Sequence, residues 1–204
     1  SNDLPYKKRR EMSHDISVST YSNLEINKLT INDFNASDYF PKDYEIVKYS
    51  DLYKKNEEST ASELIGKKAP DWILENIEAQ PVSLADCKSK IILINFTGIG
   101  CGACQAAIPF LKQLKESFTS EEFELIAIES WSRKVSAIRN YANRKELNYT
   151  ILNATNEVIK QYQTGGAAPY FFIVDQERII RKVIRGYSNE NTDKEIINAI
   201  KELL

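Results

Sequence analysis

Two kinds of apolar pattern alternate along the later part of this 204-residue chain, and they limit its fold more than any other feature. Residues 91–96 (IILINF) form an almost continuous apolar run, which is typical of a strand buried on both faces. Residues 107–118 then carry apolar side chains at helical spacing. Strands that alternate with helices in this way predict an α/β sandwich with a partly parallel sheet.

The same alternation continues to the end of the chain. It predicts further strands over residues 124–128, 149–152, 170–174 and 179–184, and helices over residues 135–147 and 156–162. A tight turn separates the last two strands, so they are predicted to be antiparallel. The sequence Thr192-Asp-Lys-Glu195 matches a capping box and predicts the start of a final helix.

The composition of the chain changes near residue 60. Residues 1–60 are polar, with short alternating stretches at 16–21 and 24–31, and they hold too little aliphatic mass for a core of their own. Residues 56–63 (NEESTASE) are interpreted as a linker. We therefore expect one folded domain over residues 64–204, preceded over residues 1–60 by an extension or by the tail of an upstream domain.

Charge and residue counts exclude several classes of function. Lys and Arg number 27 against 29 Asp and Glu, so the net charge of −2 gives no electrostatic case for nucleic-acid binding. His14 is the single histidine, which excludes mechanisms and metal sites that need several imidazoles. No apolar run approaches the about 20 residues of a membrane span, and the first residues lack the apolar core of a signal peptide.

The motif Cys101-Gly102-Ala103-Cys104 lies between the strand predicted at 91–96 and the helix that follows. A cysteine in the first turn of a helix faces unpaired backbone N–H groups and the positive end of the helix dipole, and both favour the nucleophilic thiolate. A second cysteine three residues later lies one turn away, close enough for a disulfide. Such a pair can attack a substrate disulfide with Cys101 and release the mixed disulfide with Cys104.

Other interpretations of the pair follow from the same residues. A zinc site needs four ligands and would have to recruit Cys87 and His14 from distant parts of the chain. Covalent haem attachment needs a histidine directly after the second cysteine, where this chain has Gln105. A purely structural disulfide stays open as an alternative, although the strand–CxxC–helix context favours redox activity.

An ordered series of segments surrounds this motif. The series is Gly66-Lys-Lys-Ala-Pro70-Asp-Trp, Val82-Ser-Leu-Ala-Asp86, Ile92-Leu-Ile-Asn-Phe96, the CxxC motif, Pro109, and Ala168-Pro169 before Tyr170-Phe-Phe-Ile-Val174-Asp175. With it, residues 64–204 resemble the thioredoxin fold, in the extracytoplasmic TlpA/ResA-like branch of thiol–disulfide oxidoreductases. The resemblance implies a three-layer sandwich around a central mixed sheet. The stretch 105–168 leaves room for the strand–helix insertion found in TlpA-like proteins and peroxiredoxins.

The resemblance also implies site residues. Cys101 is then the nucleophile and Cys104 the resolving thiol, and Gly102 and Ala103 lie between them on the substrate-binding surface. The segment Ala168-Pro169 is expected to contain a cis peptide bond, to pack against the CxxC motif and to offer backbone groups to the substrate chain.

Three further positions have expected roles. Pro109 lacks an amide N–H and is predicted to bend its helix. Asn95 stands where simple thioredoxins carry a buried acid and where the TlpA/ResA-like branch commonly has asparagine. Glu129, at the end of a predicted strand, is a candidate replacement base, with a solvated strand end as the alternative interpretation.

Two departures from the family pattern flank the cysteines. The family usually has Trp before the first cysteine and Pro before the second, whereas this chain has Gly100 and Ala103. The first change removes apolar surface beside the nucleophile, and the second is expected to alter the relative stability of dithiol and disulfide. Trp131 is either a replacement aromatic near the site or a half-buried loop residue. Cys87 is interpreted as a bystander thiol.

The motif and the resemblance together predict a thiol–disulfide oxidoreductase that acts as a reductase or isomerase on client protein disulfides. The resemblance implies an extracytoplasmic location, periplasmic or anchored at the cell envelope. The cysteines carry the electrons, so no bound cofactor or metal is expected. The resemblance implies a membrane-linked thiol electron donor. The alternatives are a non-catalytic binding module with a structural disulfide, and a peroxiredoxin-like thiol peroxidase. Peroxidase chemistry needs a threonine three positions before the cysteine, whereas Thr97 lies four positions before Cys101.

Overall fold

The computed structural model describes the backbone of residues 7–12 and 15–20, and it describes residues 60–132 and 134–204 in full. The chain divides into two compact units, Ser1–Lys55 and Asn56–Leu204. In the first unit, strands β1 (Lys7–Met12) and β2 (Asp15–Thr20) pair antiparallel. Strand β2 overlaps the alternating stretch at 16–21, while the stretch at 24–31 lies outside the described residues.

The second unit contains a seven-stranded mixed sheet with the order β4-β3-β7-β6-β5-β8-β9. Its strands are β3 (Ile73–Asn76), β4 (Pro81–Ser83), β5 (Ile91–Thr97), β6 (Phe123–Glu129), β7 (Thr150–Asn153), β8 (Tyr170–Val174) and β9 (Ile180–Arg185). Strands β5, β6 and β7 are parallel to one another, and β8 is antiparallel to β5. Strand β9 is antiparallel to β8, as predicted.

Helices cover both faces of this sheet. They are α1 (Gly102–Glu116), α2 (Val135–Lys145), α3 (Asn156–Gln161) and α4 (Glu190–Leu203). All residues of β5 are buried, because its side chains point alternately into two cores. Ile92, Ile94 and Phe96 pack in a core that includes α3, and Ile91 and Leu93 pack in one that includes α1 and α4. The predicted three-layer α/β sandwich of the thioredoxin type is therefore confirmed.

The predicted linker over residues 56–63 is wrong in its second half. Residues Thr60–Leu64 form a 3-10 turn, and the side chains of Ala61 and Leu64 are buried in the core beside α3. Two apolar residues in a polar stretch are enough to anchor it, because each removes its own surface from water. Strands β3 and β4 are short, and the apolar patterns do not predict them.

The predicted capping box at Thr192 is also wrong. Helix α4 begins two residues earlier, at Glu190, and Asn189 is its N-cap residue. Thr192 lies inside the first turn and is buried, and its Oγ1 accepts the backbone N–H of Ser188 at 3.0 Å. The hydroxyl therefore accepts a backbone N–H group that precedes the helix, whereas in a capping box it would accept an N–H group three residues later. The sequence pattern does not show which of the two bonds forms.

The carboxylate of Asp175 organises the turn between β8 and β9. Its oxygens accept the backbone N–H of Ile179 at 2.8 Å and the Nε–H of Arg181. Burial alone raises the pKa of Asp175, but the hydrogen bonds from Ile179 and Arg181 outweigh burial and hold that pKa below its ordinary value. The ionised form is therefore favoured more in the folded chain than in the unfolded chain.

We predict that this carboxylate makes stability depend on pH in the acid range. Because its pKa is lower in the folded state, its contribution is complete above about pH 5 and is lost as the pH falls further. Urea unfolding between pH 6 and pH 2.5 measures this, and Asp175→Asn should flatten the fall in unfolding free energy. Glu78→Gln changes an exposed carboxylate in the turn between β3 and β4 and serves as the control. A wild-type pH profile in Asp175→Asn would contradict the prediction.

Candidate active site

The loops that carry the predicted site residues meet at one edge of the sheet. Thr97, the last residue of β5, pairs with Glu129 of β6, and Glu129 pairs with Asn153 of β7. Phe96 pairs with Tyr170, the first residue of β8. Parallel strands end at the same edge, so the loops after β5 and β6 lie beside the loop before β8.

The two cysteines of the motif are joined at the start of α1. Cys101 and Cys104 form a disulfide with their Cα atoms 5.2 Å apart. Cys101 is the N-cap residue of α1, and its Sγ accepts the backbone N–H of Cys104 at 3.1 Å. The two residues are only 6% and 4% exposed, while Gly102 and Ala103 between them are exposed. The position at a helix start agrees with the sequence prediction, and it favours negative charge on the Cys101 sulfur.

The segment Ala168-Pro169 lies against this disulfide. The peptide bond between the two residues is cis, as expected. The carbonyl oxygen of Ala168 is 3.7 Å from the Sγ of Cys101, Pro169 is buried, and Ala168 is partly exposed. The structure therefore brings Cys101, Cys104 and both residues of this segment together, with Gly102 and Ala103 beside them.

Pro109 and Asn95, two further positions with predicted roles, lie in the helix and the strand next to the site. Helix α1 continues through Pro109, which is exposed on its surface, and the bend at this residue stays a prediction. Asn95 is buried in β5, and its Nδ2 donates to the carbonyl oxygen of Tyr170 at 3.2 Å. This amide fastens β5 to the start of β8, directly after Pro169.

Glu129 is not a solvated strand end, so that alternative is wrong. The residue is completely buried, and its Oε1 accepts the backbone N–H groups of Trp131 and Ser132, both at 2.8 Å. The carboxylate turns back onto the chain that follows β6 and shapes the turn that carries Trp131. Its role as a base stays a hypothesis.

Trp131 lies between the two loops of the site. Its ring covers Gly98, since a Cβ atom at residue 98 would lie 2.4 Å from the indole. Its Nε1–H donates to the carbonyl oxygen of Gly166 at 2.8 Å, and the residue is 48% exposed. The sequence indicates only an aromatic residue near the site. Gly98 and Gly166 fix the position of the ring. Both belong to glycine-containing stretches, one before Cys101 and one before Pro169. These glycines are the sequence signal that could have pointed to the contacts of Trp131.

Gly100 leaves open space beside the nucleophile. Its φ of +95° is in the region that favours glycine, and among described atoms none beyond its chain neighbours lies within 4 Å of a Cβ position. The surface next to Cys101 therefore lacks the side chain that the family pattern usually supplies there.

The environment of the third cysteine disfavours the reactive thiolate form. Cys87 is buried, and burial together with the nearby charge of Glu124 raises its pKa to about 12.

Among the residues that the structure describes, no three His, Cys, Asp or Glu side chains lie close enough together to hold a metal ion. Nor does any helix in that part of the chain have the length and apolar character to cross a bilayer.

Comparison with known proteins establishes the relationship of the chain. Residues 65–183 match the AhpC/TSA family. The chain belongs to the AhpC/TSA family. A curated relative of this AhpC/TSA domain, the thiol-disulfide oxidoreductase ResA of Bacillus thuringiensis subsp. konkukian, is 26% identical over 140 residues, 68% of this chain and 78% of the relative. The expected membership of the ResA-like thiol–disulfide oxidoreductases, which are enzymes, is confirmed.

Solved structures show the same fold. A conserved uncharacterised protein of Geobacillus kaustophilus superposes with a TM-score of 0.60 at 23% identity, covering 68% of this chain and 81% of that one. A thiol:disulfide interchange protein of the thioredoxin family from Chlorobium tepidum has a TM-score of 0.55 at 24% identity, covering 67% of this chain and 94% of its own. Both confirm the thioredoxin-like architecture of this AhpC/TSA domain.

We predict that alkylation separates the cysteines of the reduced protein. At pH 7 iodoacetamide should label Cys101 first and Cys87 at least about tenfold more slowly, because the thiolate is the reactive form and burial disfavours it at Cys87. Mass spectrometry of the digested protein at successive times measures the two rates. In urea the two rates should converge. Equal rates at the two cysteines in the folded protein would contradict the prediction.

Proposed function

We propose that this protein is a thiol–disulfide reductase or isomerase that exchanges the disulfides of client proteins through Cys101 and Cys104. The observation that carries the proposal is the position of the Cys101 sulfur at the N-cap of α1, where it accepts the N–H of Cys104. That N–H group and the helix dipole stabilise the Cys101 thiolate after the disulfide is reduced.

The exchange runs in two steps from the dithiol form. The Cys101 thiolate attacks one sulfur of the client disulfide, so a bond forms between the two proteins as the client S–S bond breaks. The client thiolate that leaves takes a proton from solvent. Deprotonated Cys104 then attacks the Sγ of Cys101, which restores the disulfide seen here and releases the second client thiol. The client gains two electrons and two protons, and a thiol donor must return them to this protein.

The surface around the disulfide suits a client chain. Gly102 and Ala103 are exposed and carry little side-chain bulk, and Ala168 is partly exposed beside Cys101. A client main chain can therefore approach the sulfur closely and meet backbone groups of the segment before Pro169. Binding through backbone groups is compatible with many client sequences.

The proposal includes a location and an electron source. The relatives named ResA and the family resemblance favour an extracytoplasmic enzyme, periplasmic or anchored at the cell envelope, that receives electrons from a membrane-linked thiol donor. The peroxidase alternative gains no support from the site, because Thr97 is buried at the end of β5 and lies one position too far from Cys101.

We predict that cysteine substitutions separate the two steps in an insulin-disulfide reduction assay. Cys101→Ser should lower the rate by at least about 100-fold, because it removes the attacking thiolate. Cys104→Ser should keep the first step and accumulate a mixed disulfide at Cys101, detectable by mass spectrometry. Cys87→Ser is the matched control and should keep the wild-type rate.

Undiminished insulin reduction by Cys101→Ser would remove Cys101 as the nucleophile. A wild-type protein that reduces no protein disulfide, and whose Cys101–Cys104 bond resists dithiothreitol, would favour the binding module with a structural disulfide instead.

A further inference from the structure

Trp131 is an exposed aromatic residue at the border of the two loops that form the site. On one side its ring lies on Gly98, whose carbonyl oxygen accepts the backbone N–H of Cys101 at 3.0 Å. On the other side it bonds to Gly166, three residues before Pro169. The indole thus stands one tight turn away from Cys101, next to the surface over which a client chain must pass.

The indole is fixed in this position. Its Nε1–H donates to Gly166, and its backbone N–H donates to the buried carboxylate of Glu129, both at 2.8 Å. Even so, 48% of the residue is exposed, and at Gly98 only glycine leaves room for the ring. A rigid, half-exposed tryptophan loses little conformational entropy when a partner covers it, which is why tryptophan is frequent at the energetic centres of interfaces.

Among the described residues that adjoin Cys101 in the motif, none offers a comparable contact surface. Gly100, Gly102 and Ala103 are all exposed and carry at most a methyl group. A client side chain next to the reacting sulfur therefore finds open space at Gly100 and a large apolar surface at Trp131.

We propose that Trp131 is a specificity-determining residue of the exchange reaction. Its exposed indole packs against an apolar or aromatic side chain that neighbours the client disulfide. The inference rests on the proposed function and deepens it, because it defines the class of client as disulfides flanked by apolar residues. Contact between two aromatic rings gains free energy beyond the area buried, so the preference should be measurable.

Two synthetic peptides test the proposal. Each contains one intramolecular disulfide, and they differ only in the residue before the first cysteine, Phe in one and Ala in the other. Stopped-flow measurement of single turnovers with the pre-reduced protein gives a second-order rate constant for each peptide, and the ratio of the two constants reports the preference.

The wild-type protein should favour the Phe peptide by about tenfold, the size of one aromatic contact. Trp131→Ala should bring the ratio close to one. Trp131→Phe should retain most of the ratio, because it keeps an aromatic face while losing the hydrogen bond to Gly166. Ile65→Ala is the matched control and should keep the wild-type ratio. Ile65 is also 48% exposed, but the next residue bonds to Ile180 at the opposite edge of the sheet.

Three results would overturn the inference while leaving the proposed function intact. They are a wild-type ratio near one, a wild-type ratio in Trp131→Ala, and an equal loss of the ratio in Trp131→Phe and Trp131→Ala. The last would show that the residue acts by positioning the loop of Gly166 rather than by touching the client. A reduced wild-type protein that reacts with neither peptide would instead overturn the proposed function and this inference with it.

Discussion

The hydrogen bond from the backbone N–H of Cys104 to the sulfur of Cys101 joins the fold of this protein to its chemistry. A helix must satisfy the first N–H groups that have no partner within it, and here the side chain that does so is the cysteine itself. The group that caps α1 is therefore also the group that gains negative charge on reduction. The same N–H group and the helix dipole that stabilise the helix start also stabilise the thiolate.

Contacts within the sheet hold the loops around this N-cap in place. Strand β5 is buried along its whole length, and its parallel pairing with β6 places the turn of Trp131 beside the loop of the cysteines. Asn95 fastens β5 to Tyr170, so the cis segment Ala168-Pro169 is held against Cys101. Close to the nucleophile the chain carries glycine and alanine, and the aromatic surface comes from the end of the neighbouring strand. The exposed aromatic surface near Cys101 therefore lies at Trp131, outside the CxxC motif.

The sequence was sufficient for the elements that rest on local pattern. Strand β5 is an almost continuous apolar run and β8 a continuous one, and the cysteines fall between a buried strand and a helix. Both strands and the position of the motif could therefore be predicted. Two kinds of contact could not be predicted: those between residues far apart in the chain, and those in which a side chain bonds back to its own turn. Thr192 can turn towards either end of its helix, and nothing in the sequence shows that the Glu129 carboxylate bonds back to the turn after β6. The contact of Trp131 with Gly98 and Gly166 requires the register of the sheet and the position of two loops.

The reduction potential of the Cys101–Cys104 pair distinguishes an exchange catalyst from a structural disulfide. Equilibration of the protein with defined ratios of reduced and oxidised dithiol, followed by trapping and mass spectrometry, gives this potential. An exchange catalyst should titrate reversibly as a two-electron couple between about −270 and −180 mV, the range that separates thioredoxin from protein disulfide isomerase. A disulfide that stays intact below about −300 mV would behave as a structural bond and would contradict the account.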